Sequence, residues 1–313
     1  MRTLITSLLI SASAFASDAQ FNGRWDITVP HESRSRAWWL EVTGAGTPGL
    51  KGRFVGFPGG DMNDIPKIEI QKGELRFSFD YNDYTTKKPM HRDYTARVAA
   101  DGKLAGTMRP SDGEPLEWIG VRAPAIKDQD DGSWRDGRPV ELFNHKDLSG
   151  WRGLIPDKEL GWTVRDGAMA NVAAANNLIS EQTFWNFKLH VEFRLGKGSN
   201  SGIGLRGRYE VQILEDYGKP PNSHSNGALY SRIAPSVNAS KPPDEWQSYD
   251  IRLVGRQVTV VLNDQKIIDK QEIEGLTAIA GNADEGKPGP LILQGDHGPV
   301  AFRNLWIEPL ELK

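Results

Sequence analysis

FKLHVEFRL, residues 187–195, alternates without interruption: Phe187, Leu189, Val191, Phe193 and Leu195 share one side, and Lys188, His190, Glu192 and Arg194 the other. Such a period of two belongs to a strand with one face in a core and one in water. Comparable runs follow in GIGLR (202–206), YDIRLV (249–254), VTVVLN (258–263), LILQ (291–294) and VAFRNLWI (300–307). Two sheets of such strands bury their apolar faces on each other, which predicts a β-sandwich over residues 140–313. No long 3.6-residue periodicity competes, and 33 glycines and 19 prolines punctuate the chain every few residues, so the class is all-β.

Upstream, WWLEV (38–42), LRFSFDY (75–81) and YTARV (94–98) are shorter alternating runs, separated by turn signals such as Asp101-Gly102 and Asp112-Gly113. They predict a small antiparallel barrel or sandwich over residues 20–123, its role open. The polar, Pro-containing stretch 124–139 breaks the pattern and is expected to be a linker. No internal repeat or low-complexity segment is visible.

At 313 residues the chain can hold two cores. A net charge of −3 gives no basic footprint, so nucleic acid is excluded as the expected partner. Residues 1–19 join Arg2, an apolar run and small-residue steps at Ala14, Ala16 and Ala19, the pattern of a cleaved secretory leader; a mature chain starting near Phe21 and a periplasmic or secreted location are expected. Later segments fall short of the roughly 20 apolar residues that cross a bilayer, and no membrane partner is expected. Cysteine is absent, which removes disulfides, thiolate metal sites and a cysteine nucleophile. Nothing in the sequence fixes the oligomeric state.

In GIGLRGRYEVQILEDY (202–217) a link at Gly207-Arg208 suggests a hairpin that sets Gly202, Gly204 and Arg206 near Glu210 and Gln212, with Ile203, Leu205, Val211 and Ile213 facing the core. Polar side chains beside glycines make a floor on which a flat ligand can lie. A solvated face with an Arg206–Glu210 ion pair is the plainer alternative.

The stretches LFNHKDLSGW (142–151), FKLHVEFRL, SNSGIGLRGRYEVQILED (199–216), NGALY (226–230), EWQSYDIRLVG (245–255) and LQGDHGPVAFRNLWIEPL (293–310) resemble, in order and spacing, the 3-keto-disaccharide hydrolase family. The resemblance covers residues 140–312 and implies a concanavalin A-like jelly roll with a sugar site on its concave sheet. It also implies cleavage of glycosides whose glucose ring is already oxidised at carbon 3. Two departures are His145, where the family has glycine, and Glu215, where it has aspartate.

Glu210, Gln212 and Glu215 have the spacing of the Glu-x-Asp-x-x-Glu strand of laminarinase-type glucanases, but Gln212 cannot supply the central charge. Without a bulge the two glutamates face opposite ways, so paired-carboxylate hydrolysis is the lesser reading. Under the implied activity, a ketone at carbon 3 acidifies the hydrogen on carbon 2. A base removes it, the aglycone leaves carbon 1 by elimination, and water adds to the enone. That needs a base, a proton donor and a positive group at the enolate oxygen. The catalytic candidates are Glu210 and His297 for acid–base work and Arg206 for the enolate. The substrate-binding candidates are Gln212, Gln294, Asn200, Tyr230, Trp246 and His224, with Trp246 and Tyr230 equally readable as core aromatics. His190, on the polar face of its strand, is read as solvated. No paired-histidine spacing marks a zinc site; a divalent ion on Glu210, Gln212 or loop oxygens is the one cofactor left open. The expected partner is a carbohydrate, and the rival from another class is a lectin-like module without chemistry.

Overall fold

The computed structural model describes residues 18–30, 37–56, 60–83 and 86–313. The leader expected at residues 1–19 lies outside the described residues, except for Asp18 and Ala19, which open a short 3-10 turn (Asp18–Phe21). No helix among the described residues is long and apolar enough to cross a membrane.

Residues 23–122 form one nine-stranded antiparallel sheet in which Gly23–Thr28 pairs with Leu116–Arg122, so the meander curls on itself. It wraps a core of its own, with Trp25, Trp38, Leu40, Phe54, Leu75, Tyr94 and Trp118 all buried. Within it the Phe77 and Tyr94 rings stack with centroids 4.6 Å apart.

The downstream residues build a two-sheet jelly roll. A nine-stranded sheet is centred on Phe187–Leu195, which pairs with Gln247–Val254 on one side and Val300–Leu312 on the other. Its apolar set is 0–2% exposed, as the alternation requires, and each such side chain contributes about 1.5–3 kcal/mol by leaving water. Opposite lies a five-stranded sheet in the order Trp151–Gly153, Leu178–Ser180, Ile292–Leu293, Asn200–Leu205, Tyr209–Leu214. Ile203, Leu205, Val211 and Ile213 point from it into the shared core. The even residues of the same hairpin therefore face outward, onto the curved side of the sheet.

The stretch read as a linker is pinned to the sandwich. Trp134–Asp136 pairs with the end of Val300–Leu312. Asp128 accepts hydrogen bonds from Trp185 Nε1 and Asn186 Nδ2, and Asp130 accepts from Arg252. Three-residue pairings and carboxylate contacts leave no alternation in sequence, so this docking was invisible there. His145 stands at φ 62°, the left-handed region that glycine enters freely, which fits the glycine that the resemblance leads one to expect there.

No strand ladder joins the two units among the described residues, yet they meet over a buried, charged seam. Trp39, fully buried, lies under the Arg232 guanidinium at 4.1 Å and against Gly275, where a Cβ would meet its Nε1 at 2.0 Å. Ala37 N–H donates to Ala280 O at 2.8 Å, and Arg53 pairs with Glu274 at 2.9 Å. Deeper in, Asp26 is 0% exposed and neither of its oxygens meets a donor among the described residues. Its neighbour is Glu285, which already accepts from Tyr209 Oη and Arg256. Two facing carboxyls without a donor between them require a proton, and Asp26 holds it: burial first, and then Glu285, pushes its carboxyl up to about 8.

The consequence is a slope in stability. The unfolded chain releases the Asp26 proton near the ordinary value of 3.8, whereas the folded chain keeps it to about pH 8. Between these limits the unfolded state binds fewer protons, so the stabilising contribution, full below pH 4, is lost as pH rises toward 8. Asp26→Asn keeps a donor toward Glu285 at every pH. Thermal melts of the full chain from pH 4.5 to 8.5 should show a flatter slope for this variant and a higher Tm than wild type at pH 8.5; parallel slopes would contradict the shared proton.

Candidate active site

The hairpin Asn200–Leu205 to Tyr209–Leu214 keeps strict register from Asn200↔Leu214 to Leu205↔Tyr209, with no bulge. Gly204 is thus opposite Glu210 and Gly202 opposite Gln212. Ile292 continues the first row on one side, and on the other Tyr230 N–H donates to Glu210 O at 3.0 Å. In the second row Gln294 N–H donates to Gly202 O at 2.9 Å. The outward face therefore carries Ile292, Gly204, Glu210 and Tyr230 in one row and Gln294, Gly202 and Gln212 in the next.

The glycines make room for the longer side chains. A Cβ on Gly202 would lie 2.4 Å from Glu210 Oε1, so the carboxylate occupies the volume a side chain would take. Glu210 is 3% exposed and Gln212 2%. Gln212 Nε2 donates to Asn200 Oδ1 at 3.3 Å, while Gln212 Oε1 and Gln294 Oε1 are buried with no hydrogen-bond partner among the described residues. An unsatisfied buried polar atom costs about 1–3 kcal/mol, so two on one face mark a place where something else supplies donors.

His297 follows in the loop beyond Ile292–Leu293. Its Nδ1 is 2.8 Å from Asp296 Oδ1, and Gly298 N–H donates to Asn200 O, which brings the loop to the open end of the second row. Buried amides hold the loop: Asn177 Oδ1 accepts from Gly295 N and Asp296 N, and Asn171 Nδ2 donates to Gly295 O and Gly298 O. At the other end Ile279 packs with Ile292 and Ile179 in a small apolar cluster over Gly204.

The structure brings Glu210, Gln212, Gln294, Asn200, Tyr230 and His297 to one face and its rim. His224 reaches the same rim through Tyr230, with ring centroids 5.0 Å apart and edge-on. Arg206 is not brought there. The strand stops at Leu205 and the turn takes residues 206–208, with Arg206 itself at φ 52°, which swings its side chain out of alternation. Its Nε donates to Trp185 O at 2.6 Å, its Nη2 to Asn186 Oδ1 at 3.0 Å, and its plane lies over the Trp185 ring at 3.9 Å. Burial lowers its guanidinium to about 10. Trp246 also lies elsewhere: it immediately precedes Gln247, which is buried, and alternation sends it outward between Arg194 and Arg303 at 4.9 and 4.0 Å. His190 stacks on Trp306 on that same outer face, bonded to Asp250.

Glu215 follows the strand; its Oε2 accepts from Gly198 N–H at 3.2 Å, and it shares no row with Glu210. Reading the residues alone missed Asp296, Asn171, Asn177 and Thr277, whose Oγ1 accepts from Glu210 N–H at 2.9 Å. The first of these carried a signal, since it adjoins His297 after a strand. No three His, Cys, Asp or Glu side chains gather as metal ligands among the described residues; Glu210 with the amide oxygens of Gln212 and Gln294 is the oxygen set a hard cation would use.

Fold and face together define a jelly roll whose five-stranded sheet carries a buried, partly unsatisfied polar face. The family model described as a 3-keto-alpha-glucoside-1,2-lyase-like domain matches residues 138–308, and the chain belongs to that family. A 3-keto-disaccharide hydrolase of Bacteroides thetaiotaomicron is 25% identical over 231 residues, spanning 55% of this chain and 78% of the relative. A crystal structure of a candidate glycosyl hydrolase from Parabacteroides distasonis is 27% identical, covers 60% of this chain and 94% of its own, and superposes with a TM-score of 0.48. A family GH16 non-specific endo-beta-1,3(4)-glucanase is 12% identical, covers 60% and 95%, and superposes at 0.37.

Gly202→Ala isolates the carboxylate. The new methyl meets first the Glu210 side chain, at its Oε1, Cγ and Cδ, rather than backbone, so folding should be spared while the carboxylate is displaced. Loss of activity by at least about tenfold is expected, with Tm within about 2 °C of wild type. Full activity in a folded Gly202→Ala protein would remove Glu210 from the chemistry.

Proposed function

We propose that the chain cleaves glycosides whose glucose ring carries a ketone at carbon 3, by β-elimination and rehydration on the outward face of the five-stranded sheet. The observation that carries this is a buried carboxylate, Glu210, on a glycine floor, flanked by the two buried amide oxygens of Gln212 and Gln294 that have no donor among the described residues. Family membership supports the substrate class.

In this reading Glu210 takes the carbon 2 proton, and the carbon 2 electron pair forms the double bond to carbon 1. The carbon 1–oxygen bond breaks toward the aglycone, whose oxygen receives a proton. His297, oriented by Asp296, is that donor; left neutral, it takes the proton that water loses on adding to carbon 1, while Glu210 returns its proton to carbon 2. The amides of Gln212, Gln294 and Asn200 hold ring hydroxyls and the carbon 3 oxygen. With Arg206 committed to Trp185 and Asn186, the developing enolate depends on these amides and on any cation held beside them. A paired-carboxylate glycosidase is disfavoured by the unbulged hairpin and by the engagement of Glu215 with Gly198.

The test compares product release from a 3-keto-disaccharide and from its unoxidised parent. Release from the keto substrate alone is expected. Glu210→Gln should lower turnover by about 10² or more, while Glu215→Gln changes it by less than about threefold. Release from both substrates, with comparable losses in the two variants, would restore the paired acids. Binding of both sugars without any release would make the chain a lectin.

A further inference from the structure

The family match begins at residue 138, yet the face it carries does not end within it. The two rows run across the strands, the direction in which a groove on this sheet extends. Beyond Tyr230 the first row meets residues 60–62, which lie just before the strand Asn63–Asp64 of the upstream unit. A Cβ on Gly60 would lie 2.7 Å from Ala278 Cβ and 3.7 Å from Tyr230 Cε1, so the chain passes there at contact distance. Asp61 Oδ1 is 2.6 Å from His224 Nε2, and each side chain keeps 44% of its surface exposed, so the pair faces solvent at the rim. Met62 N–H donates to Ser231 Oγ at 3.0 Å, and its sulfur accepts from Arg232 Nη1. Arg232 is in turn fixed by Leu276 O at 2.6 Å and by the face of Trp39. These contacts hold residues 60–62 against the Tyr230 end of the first row, anchored on both sides of the seam.

We infer that the upstream unit completes the sugar site: Gly60, Asp61 and Met62 wall off the groove beyond Tyr230, and Asp61 positions His224 there, so that the site takes a short, chain-terminal sugar unit. The inference rests on the reading of the Glu210 face as the sugar site and adds to it a residue from outside the family domain. A carboxylate on one imidazole nitrogen fixes the ring and its tautomer, leaving Nδ1 to meet a hydroxyl. Ser223 Oγ, at 3.4 Å from Nδ1, is too loosely placed to hold that nitrogen against a ligand. A groove closed at one end cannot pass the middle of a polymer, so the length of the acceptable substrate is set by the upstream unit.

The test uses the full chain with two sets of sugars. First, KM and kcat on a 3-keto-disaccharide are compared for wild type, Asp61→Asn, Asp61→Glu and His224→Gln. Loss of the positioning contact should raise KM about tenfold with kcat within about threefold, and Asp61→Glu should recover part of it. Because both side chains are half exposed, Tm should move by no more than about 2 °C. Second, a trisaccharide oxidised on its terminal ring should be cleaved at least about a hundredfold faster than one oxidised on its middle ring. Unchanged KM in all three variants, or equal rates on the two trisaccharides, would overturn the inference while leaving the proposed chemistry intact. If wild type releases nothing, binding of the same 3-keto-disaccharide is read by calorimetry instead. Weaker binding to Asp61→Asn would support the inference although the chemistry had failed, and equal binding, or none to wild type, would overturn it.

Discussion

A carboxylate that is 3% exposed lies where a side chain on Gly202 would have to be, and the rest of the site is arranged around that contact. The backbone around Glu210 is fixed by the fold. It is held by the ladder: Gly204 opposite Glu210, Gly202 opposite Gln212, and on the far side Tyr230 bonded through its backbone to Glu210. Shifting the register by one residue would turn Glu210 into the core and Val211 onto the outward face. The four inward residues of the hairpin, all fully buried, prevent that slip, so packing of the core fixes the geometry of the outward face.

The same strand also links the site to the seam between the two units. Tyr209, one residue before Glu210, points inward and donates to Glu285, and its hydroxyl is raised well above its ordinary range by burial and by that carboxylate. Glu285 faces Asp26 of the upstream sheet. Thr277 accepts from Glu210 N–H and donates to Arg208 O, while Trp39 and Arg232 close the seam a few residues away. Docking of the upstream unit and placement of the Glu210 strand are therefore parts of one hydrogen-bonded network. The Asp26 carboxyl, raised by burial and by Glu285, sits at its centre.

Much of this was legible in the sequence where strand alternation governs. The inward set of residues 187–195, the outward pairing of Glu210 with Gln212, and the glycines opposite them follow from a period of two. His297 and Gln294 were legible through motif order. Arg206 was misplaced because one residue of turn, at φ 52°, is enough to take a side chain out of register, and a Gly-Arg pair does not disclose whether the turn has two residues or three. Trp246 could have been placed by alternation with Gln247 and Tyr249, both buried, but its aromatic ring outweighed its parity in the reading. Asp61 could not have been found: it lies 163 residues from His224 in sequence, in a loop of the other unit, with no local pattern of its own. The docking of residues 128–136 failed to show for a related reason, since it depends on single carboxylates meeting distant donors.

The central claim is that Glu210 removes the proton on carbon 2 of a 3-keto-glycoside. Turnover of a 3-keto-disaccharide in D2O, followed by NMR over the first turnovers, tests it most directly, because elimination and rehydration must return a solvent deuteron to carbon 2. The account predicts deuterium at carbon 2 of the released sugar with wild type, appearing at the rate of cleavage, and loss of both exchange and cleavage in Glu210→Gln. Cleavage that leaves the carbon 2 hydrogen in place would contradict it.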